Sequence, residues 1–325
     1  MSKLEDAKEK WPAAIHELTI GALAADGGTR TSTVTVGGAA ALPFMHFEGP
    51  TPNRPVIAME IWDCEPPEWS EVVTDAIGDA IKSPTEWAKK CVEEFGADLI
   101  CLRLMGTHPD FGDKSPEEAA QVVKDILEAV SVPLVIWGCE NDAKDNEVLP
   151  RCSEAAKGEC CLMGTVTEDN YKTLVASCLA DGHSLIGLSP IDINIAKQVN
   201  ILVSEMGFPL DRVVMYQTSA ALGYGIEYPY SIQERGRTAA LGGDKMMAQP
   251  VICMVGSEAW RTKEAKATAE EQPGWGDETT RGVFWEFGTA VPLLMAGTDI
   301  LVMRHPAAVV AVREYIDRLM KTEGV

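Results

Sequence analysis

Eight short apolar runs rich in β-branched residues punctuate the chain, each followed by a longer stretch of helical periodicity. No other feature restricts the fold as strongly. The runs fall at residues 56–62, 99–105, 134–138, 160–164, 185–188, 213–217, 251–255 and 300–303. Several are apolar at consecutive positions, the pattern of parallel strands covered on both faces. Eight βα units are what a closed parallel barrel requires, so the expected fold is α/β, a (βα)8 TIM barrel. A doubly wound open sheet would alternate in the same way, but two features favour the barrel. No G-x-G-x-x-G opens the first unit, and residues 18–36, turning at Asp26-Gly27-Gly28, read as an N-terminal β-hairpin able to plug one barrel end. The expected organisation is an extension with the hairpin over residues 1–50 and the barrel over 51–325, with no second domain.

The helical stretches carry start signals. Ser83-Pro84-Thr85-Glu86 and Ser115-Pro116-Glu117-Glu118 each place a hydroxyl at the N-cap, proline at the first helical position and an acid three residues past the cap. Ala119, Val122, Val123, Ile126 and Leu127 then recur at helical spacing. A closing helix over 307–320 repeats the pattern with Val309, Val310, Val312, Tyr315, Ile316 and Leu319. Residues 259–278, charged and containing Pro273-Gly274-Trp275-Gly276, read as an insertion after the seventh run: a lid, a partner-binding loop or a solvated excursion.

Charge narrows the partners. Lys and Arg number 28 against 49 Asp and Glu, a net charge of −21 that repels phosphate backbones and anionic lipid, so neither nucleic acid nor a membrane is expected as a partner. No apolar run reaches the roughly 18 to 20 residues of a membrane span, and residues 1–6 lack the basic and apolar regions of a signal peptide. The expected location is the cytoplasm. Nine cysteines without a C-x-x-C pair suit reduced thiols. His16, His46, His108, His183 and His305 show no metal-ligand spacing, and no G-x-S-x-G or P-loop is present. No catalytic residue and no metal site is therefore assigned to this chain.

In such a barrel the working face is built from loops at the C-terminal strand ends. Glu60, Arg103, Glu140, Thr165, Asp192, Asn194, Gln217, Tyr224, Arg304 and His305 fall there. Glu60 and Arg103, polar in otherwise apolar neighbouring strands, are expected to supply each other's counter-charge. Gly223-Tyr224-Gly225 leaves the backbone room for a sharp turn or for close approach of a bulky ligand.

Three longer segments carry a family resemblance: 137–142 (WGCEND), 192–198 (DINIAKQ) and 216–228 (YQTSAALGYGIEY). They resemble the small subunit of the corrinoid iron-sulfur protein of the reductive acetyl-CoA pathway. The resemblance extends over essentially the whole chain, including the hairpin and Gly274-Trp275-Gly276-Asp277. It implies a TIM barrel paired with a large subunit that carries a [4Fe-4S] cluster and a Rossmann-like corrinoid domain, with a cobamide held between the two. The implied function is methyl carriage from methyltetrahydrofolate, through a separate methyltransferase, to acetyl-CoA synthase, with this chain enclosing the cofactor and not catalytic alone.

A broad disc rimmed with amides needs small residues for approach and polar groups around them. The expected contacts are Gln217, Thr218, Ser219, Gly223, Tyr224 and Gly225, with Asp192, Asn194 and Arg304. No cobalt ligand is expected, because 181–187 (DGHSLIG) is one residue longer than D-x-H-x-x-G, and His183 precedes the fifth run, at the opposite barrel end. The alternative is a pterin-dependent barrel methyltransferase with Asp192 and Asn194 on the folate ring.

Overall fold

The computed structural model describes residues 8–321, so residues 1–6, read above for a leader, lie outside the described residues. The chain opens with a two-stranded antiparallel sheet, β1 (Glu17–Ile20) and β2 (Val34–Gly37). Eight parallel strands follow: β3 (Val56–Trp62), β4 (Leu99–Arg103), β5 (Leu134–Trp137), β6 (Leu162–Val166), β7 (Ser184–Leu188), β8 (Val213–Tyr216), β9 (Ile252–Cys253) and β10 (Ile300–Met303). The helices between and after them are α1 (Glu71–Ile77), α2 (Pro84–Glu93), α3 (Pro116–Ala129), α4 (Asp142–Ala155), α5 (Tyr171–Asp181), α6 (Ile193–Glu205), α7 (Glu227–Leu241), α8 (Val255–Ala259), α9 (Lys263–Lys266), α10 (Glu278–Ala296) and α11 (Pro306–Leu319). Each strand pairs with its sequence neighbour, β10 pairs with β3, and a bridge between Met215 and Val251 joins β8 to β9. The sheet is thereby closed, a TIM barrel as the alternation predicts.

Two apolar layers follow from strand alternation. Inward residues such as Val56, Ala58, Leu99, Val135, Leu162, Ile186, Val214, Ile252 and Val302 fill the barrel. Outward residues such as Ile57, Met59, Ile61, Ile100, Leu102 and Leu301 pack under the helices with Trp87, Val123, Ile126 and Val312. Leu18, Ile20 and Val36 of the first sheet join the inner layer, so the hairpin plugs the N-terminal barrel end. Its pairing is symmetric about Gly27, but the ladder is confined to β1 and β2. Residues 21–33 make an excursion around a 3-10 turn at Ala24–Asp26, which Gly27 closes at φ 90°. Arg30 anchors that excursion: Nε donates to Glu159 at 2.8 Å, while Nη2 and Nη1 donate to the carbonyls of Leu127 and Val130 at the end of α3.

Local signals govern the helix starts. Ser115 and Glu118 form a full capping box on α3, and Ser83 accepts from the Glu86 amide at the start of α2. Val310, expected in the buried stripe of the last helix, is 50% exposed, because the contact follows Ala308, Val309, Val312 and Ile316. Strand ends depart from the apolar runs where a side chain or turn captures the backbone. Cys160 adopts φ 48° and its carbonyl accepts from Gly21, so β6 starts at Leu162. The amide of Met254 donates to Ser219 Oγ, so β9 stops at Cys253. No described helix is long and apolar enough to cross a membrane.

Candidate functional site

The inward positions that are apolar lower in the barrel become polar or aromatic at its C-terminal end. Glu60, Arg103, Trp137, Tyr216 and Arg304 form this top layer. Glu60 is fully buried and is clasped by Arg304, Nε to Oε2 and Nη2 to Oε1, both at 2.8 Å. Trp62 Nε1 donates to the same carboxylate at 2.8 Å, and the Arg304 guanidinium lies 4.0 Å from the Trp69 ring centroid. Arg103, the expected partner, stands at 3.6 Å from Glu60 and bonds more closely to Glu140, at 2.6 Å. Arg304 is thus the principal counter-charge, and Arg103 bridges two carboxylates. Burial pushes the Glu60 pKa up, but the charge and hydrogen bonds of Arg304, then the charge of Arg103, more than reverse this and hold it below 4.5.

Above this layer lies a well of about 210 Å³, walled by Arg103, Arg304, Tyr216, Met254, Trp69 and Ser257 among others. The residues at 259–278 form part of its rim rather than a loose excursion. Trp260 Nε1 donates to buried Glu286, whose carboxylate also accepts the amides of Arg304 and His305 at 2.6 and 3.0 Å. Arg281 of α10 holds the segment through the carbonyls of Glu264 and Ala267, and Arg261 and Lys266 reach the well. Four loops around this end contain non-glycine residues in the left-handed region: Asp113 (φ 49°), Glu140 (φ 69°), Ile191 (φ 45°) and Thr218 (φ 78°). Such strain, most costly for β-branched Ile191 and Thr218, concentrates where a fold is adapted to a task.

Of the nine expected contact residues, Arg304 lines the well. Gln217 follows inward-facing Tyr216, so it faces outward; it is fully buried and its amide packs against Gly236 of α7. Ser219 is buried, holding Met254. Thr218, Gly223, Tyr224 and Gly225 stay on the outer loop, where Tyr224 is 74% exposed. Asp192 caps α6, Oδ1 accepting from the amides of Asn194 and Ile195 at 2.7 and 3.4 Å, and Asn194 lies exposed on the first turn. Trp69, Met254 and Ser257 escaped the sequence reading. The residues of the top layer were within its reach, since counting by two from Val56, Leu99 or Val214 arrives at Glu60, Arg103 and Tyr216.

At the opposite end a roomier hollow of about 590 Å³ borders Arg30, Lys124 and Lys157, but the Arg30 guanidinium there is saturated by Glu159 and backbone carbonyls. His183 is also near that end and fully buried. Its Nδ1 accepts from the Cys161 amide at 3.1 Å, which leaves Nε2–H to donate to the Ser153 carbonyl at 2.9 Å. Among the described residues no three His, Cys, Asp or Glu side chains are grouped to hold a metal ion.

His305 makes this end of the barrel sensitive to pH. Its Nδ1 accepts from the Ala307 amide as the N-cap of α11, its ring stacks on Trp260, and burial pulls its pKa from 6.5 down to about 4. Between those values the unfolded chain binds a proton that the folded one refuses, so stability falls as pH drops through this window. His305→Asn keeps an N-cap acceptor without titrating. Its urea midpoint should decline less than that of the wild type between pH 7 and pH 5; equal declines would show that His305 is not the group responsible.

The profile of a family described as CO dehydrogenase/acetyl-CoA synthase delta subunit matches residues 17–316. The chain is 38% identical over 323 residues to the acetyl-CoA decarbonylase/synthase complex subunit delta of Archaeoglobus fulgidus, covering 98% of this chain and 71% of that protein. It is 37% identical over 311 residues to the Methanocaldococcus jannaschii subunit delta, covering 95% of this chain and 75% of that protein. Among solved structures, the 7,8-dihydropteroate synthase of Vibrio fischeri superposes with a TM-score of 0.58 at 9% identity, covering 85% of this chain and 97% of that one. A dihydropteroate synthase from Xanthomonas albilineans in complex with 7,8-dihydropteroate gives 0.54 at 12%, covering 84% and 97%. At such identities the likeness is one of fold.

Proposed function

The chain belongs to the CO dehydrogenase/acetyl-CoA synthase delta subunit family, and from that premise we propose that it is the barrel subunit of a corrinoid iron-sulfur methyl carrier, enclosing a cobamide shared with a large subunit. In this reading the large subunit carries the [4Fe-4S] cluster. A methyltransferase loads the complex from methyltetrahydrofolate, and acetyl-CoA synthase unloads it. When bound, the cobamide supplies the cobalt chemistry of methyl transfer.

The observation that carries the reading is the form of the C-terminal barrel end. A well of about 210 Å³ is smaller than the roughly 300 to 1,000 Å³ of pockets that engulf a ligand. It suits coverage by something broad. The residues present fit a corrin, whose rim carries amides: Arg103 and Trp69 line the well, and Arg103 Nε and Trp69 Nε1 are buried donors that lack acceptors among the described residues. Arg304 and Arg103, locked by Glu60 and Glu140, would hold the floor of the well rigid, and in this reading the loop with Gly223, Tyr224 and Gly225 and the start of α6 at Asp192 and Asn194, which do not wall the well, would meet the disc beyond it. Rigid support of this kind positions a cofactor and excludes water without taking part in bond making.

The test is co-expression with the large subunit, followed by cobalt and iron analysis of the complex and of this chain purified alone. The complex should contain cobalt and about four irons, the content of a [4Fe-4S] cluster, and the chain alone neither. A cobalt-free complex, or four irons retained by the isolated chain, would overturn the assignment.

A further inference from the structure

The segment 259–278, open on sequence alone to three roles, is held to the barrel by one face of α10, on which Glu278, Gly282 and Glu286 recur every four residues. Glu278 accepts the Ala269 amide at 3.0 Å, and Arg281 donates to the carbonyls of Glu264, Ala267 and Gly276. Gly282 lets the segment approach, since a Cβ there would lie 2.4 Å from the Trp260 ring, and Glu286 accepts from Trp260 Nε1. Trp260, Thr262, Ala265 and Ala267 are buried. A lid opens because few buried contacts hold it, whereas this segment is fixed along its length. It is a preorganised surface.

What the segment shows to solvent is basic, on a chain of net charge −21. Arg261, Lys263 and Lys266 alternate with the buried positions and are exposed. Arg261 pairs with Glu258 at 2.8 Å, but Lys263 and Lys266 have no ion-pair partner among the described residues. The nearby acids are turned onto backbone instead: Glu271 accepts the Thr268 amide at 2.9 Å, Glu278 that of Ala269, and Asp277 caps α10. Beside the cations Trp275 is 40% exposed, with Lys263 Nζ and the Arg281 guanidinium each 5.7 Å from its ring centroid. An exposed tryptophan already steadied by two cations loses little freedom on docking, as an interface anchor should.

We propose that this segment is a preformed docking rim for an acidic surface of the large subunit, with Trp275 as its anchor and Lys263 and Lys266 as its steering charges. This rests on the reading that the large subunit shares the cobamide over the barrel end, because Arg261 and Lys266 line the well there and the rim adjoins whatever presents the disc. A second copy of this chain is the poorer occupant, since it would bring another −21 to the contact.

The experiment dilutes the co-expressed complex of the two subunits and follows its dissociation by mass photometry at about 0.05 and 0.5 M salt. Wild type should dissociate more readily at high salt. The pair Lys263→Glu with Lys266→Glu should raise the apparent Kd at least about tenfold at low salt and reverse the salt dependence, because like charges then face each other. Trp275→Ala should speed dissociation about tenfold at both salt concentrations. Lys124→Glu with Lys321→Glu, exposed at the opposite barrel end, changes the net charge equally and should behave like wild type. Wild-type affinity in both rim variants, with cobalt in the complex, would take the rim out of the interface and leave the corrinoid reading standing. Cobalt absent from a complex that the rim variants weaken would overturn that reading and keep the rim. Tighter binding by the charge-reversed pair would mean a basic partner surface, and an isolated chain that is a dimer broken by the rim variants would mean a second copy; either overturns the proposal.

Discussion

Replacing Glu60 by leucine should lower the free energy of unfolding by about 3–5 kcal/mol, the cost of leaving a buried charge without its partner. The carboxylate is fully buried between two guanidinium groups that are themselves 7% and 5% exposed, so both arginines stay largely desolvated when it is removed. Arg304 suffers more, since Glu60 is its ion-pair partner while Arg103 keeps Glu140. The double variant Glu60→Leu with Arg304→Leu removes both ions and should recover most of the loss, as apolar side chains replace a pair whose desolvation offset much of its attraction. Urea denaturation at pH 7 of the two singles and the double measures the coupling. A single-variant cost below about 1 kcal/mol would mean that the pair behaves as a solvated surface bridge. The pH dependence has a definite sign. Because the folded pKa of Glu60 lies below 4.5, its stabilisation is complete above that pH and is lost as pH falls through the folded value. Wild type should therefore lose more stability than Glu60→Leu on acidification below pH 4.5.

Gly223→Trp should strip most of the cobamide from the assembled complex, a loss of affinity of at least about tenfold, or 1.4 kcal/mol. The glycine sits exposed in the loop after β8 at φ 73°, and a Cβ there meets only Trp285, at an ordinary 3.5 Å. The substitution thus adds left-handed strain of about 1–2 kcal/mol in a surface loop and leaves the barrel packing alone. Its indole would stand where a disc must approach. The matched control is Gly96→Trp in the turn after α2, at the other end of the barrel, with φ 68° and nothing within 4 Å of its Cβ position. Gly28 is unsuitable as a control because a Cβ there would lie 2.3 Å from the Ala22 carbonyl oxygen. Equal cobamide content in both variants, with native circular dichroism, would place the loop of Gly223, Tyr224 and Gly225 away from the corrin.

The barrel was legible because its signals are local or periodic. Parallel strands buried on both faces must be apolar along their length, so β3 and β10 occupy the runs 56–62 and 300–303 without adjustment. A capping box needs four consecutive residues, and Ser115 with Glu118 forms as written. The plug was legible from the apolar spacing on either side of Gly27, although residues 21–33 wander where a tight turn was expected. The candidate site was harder to read. Glu60 has Arg103 on the adjacent strand, yet its bidentate partner is Arg304, 244 residues away, brought alongside when β10 closes onto β3. Gln217 looks like a ligand contact from its place at a strand end, but a step of one residue from Tyr216 turns it onto α7. Met254 and Ser257 line the well just past β9, which ends at Cys253 where Ser219 Oγ accepts the Met254 amide. Hydrophobic period and capping depend on neighbours within a few residues and are written into any stretch of sequence; ion-pair partners and the shape of a hollow depend on the stagger and closure of eight strands, a geometry that exists only once distant segments have met.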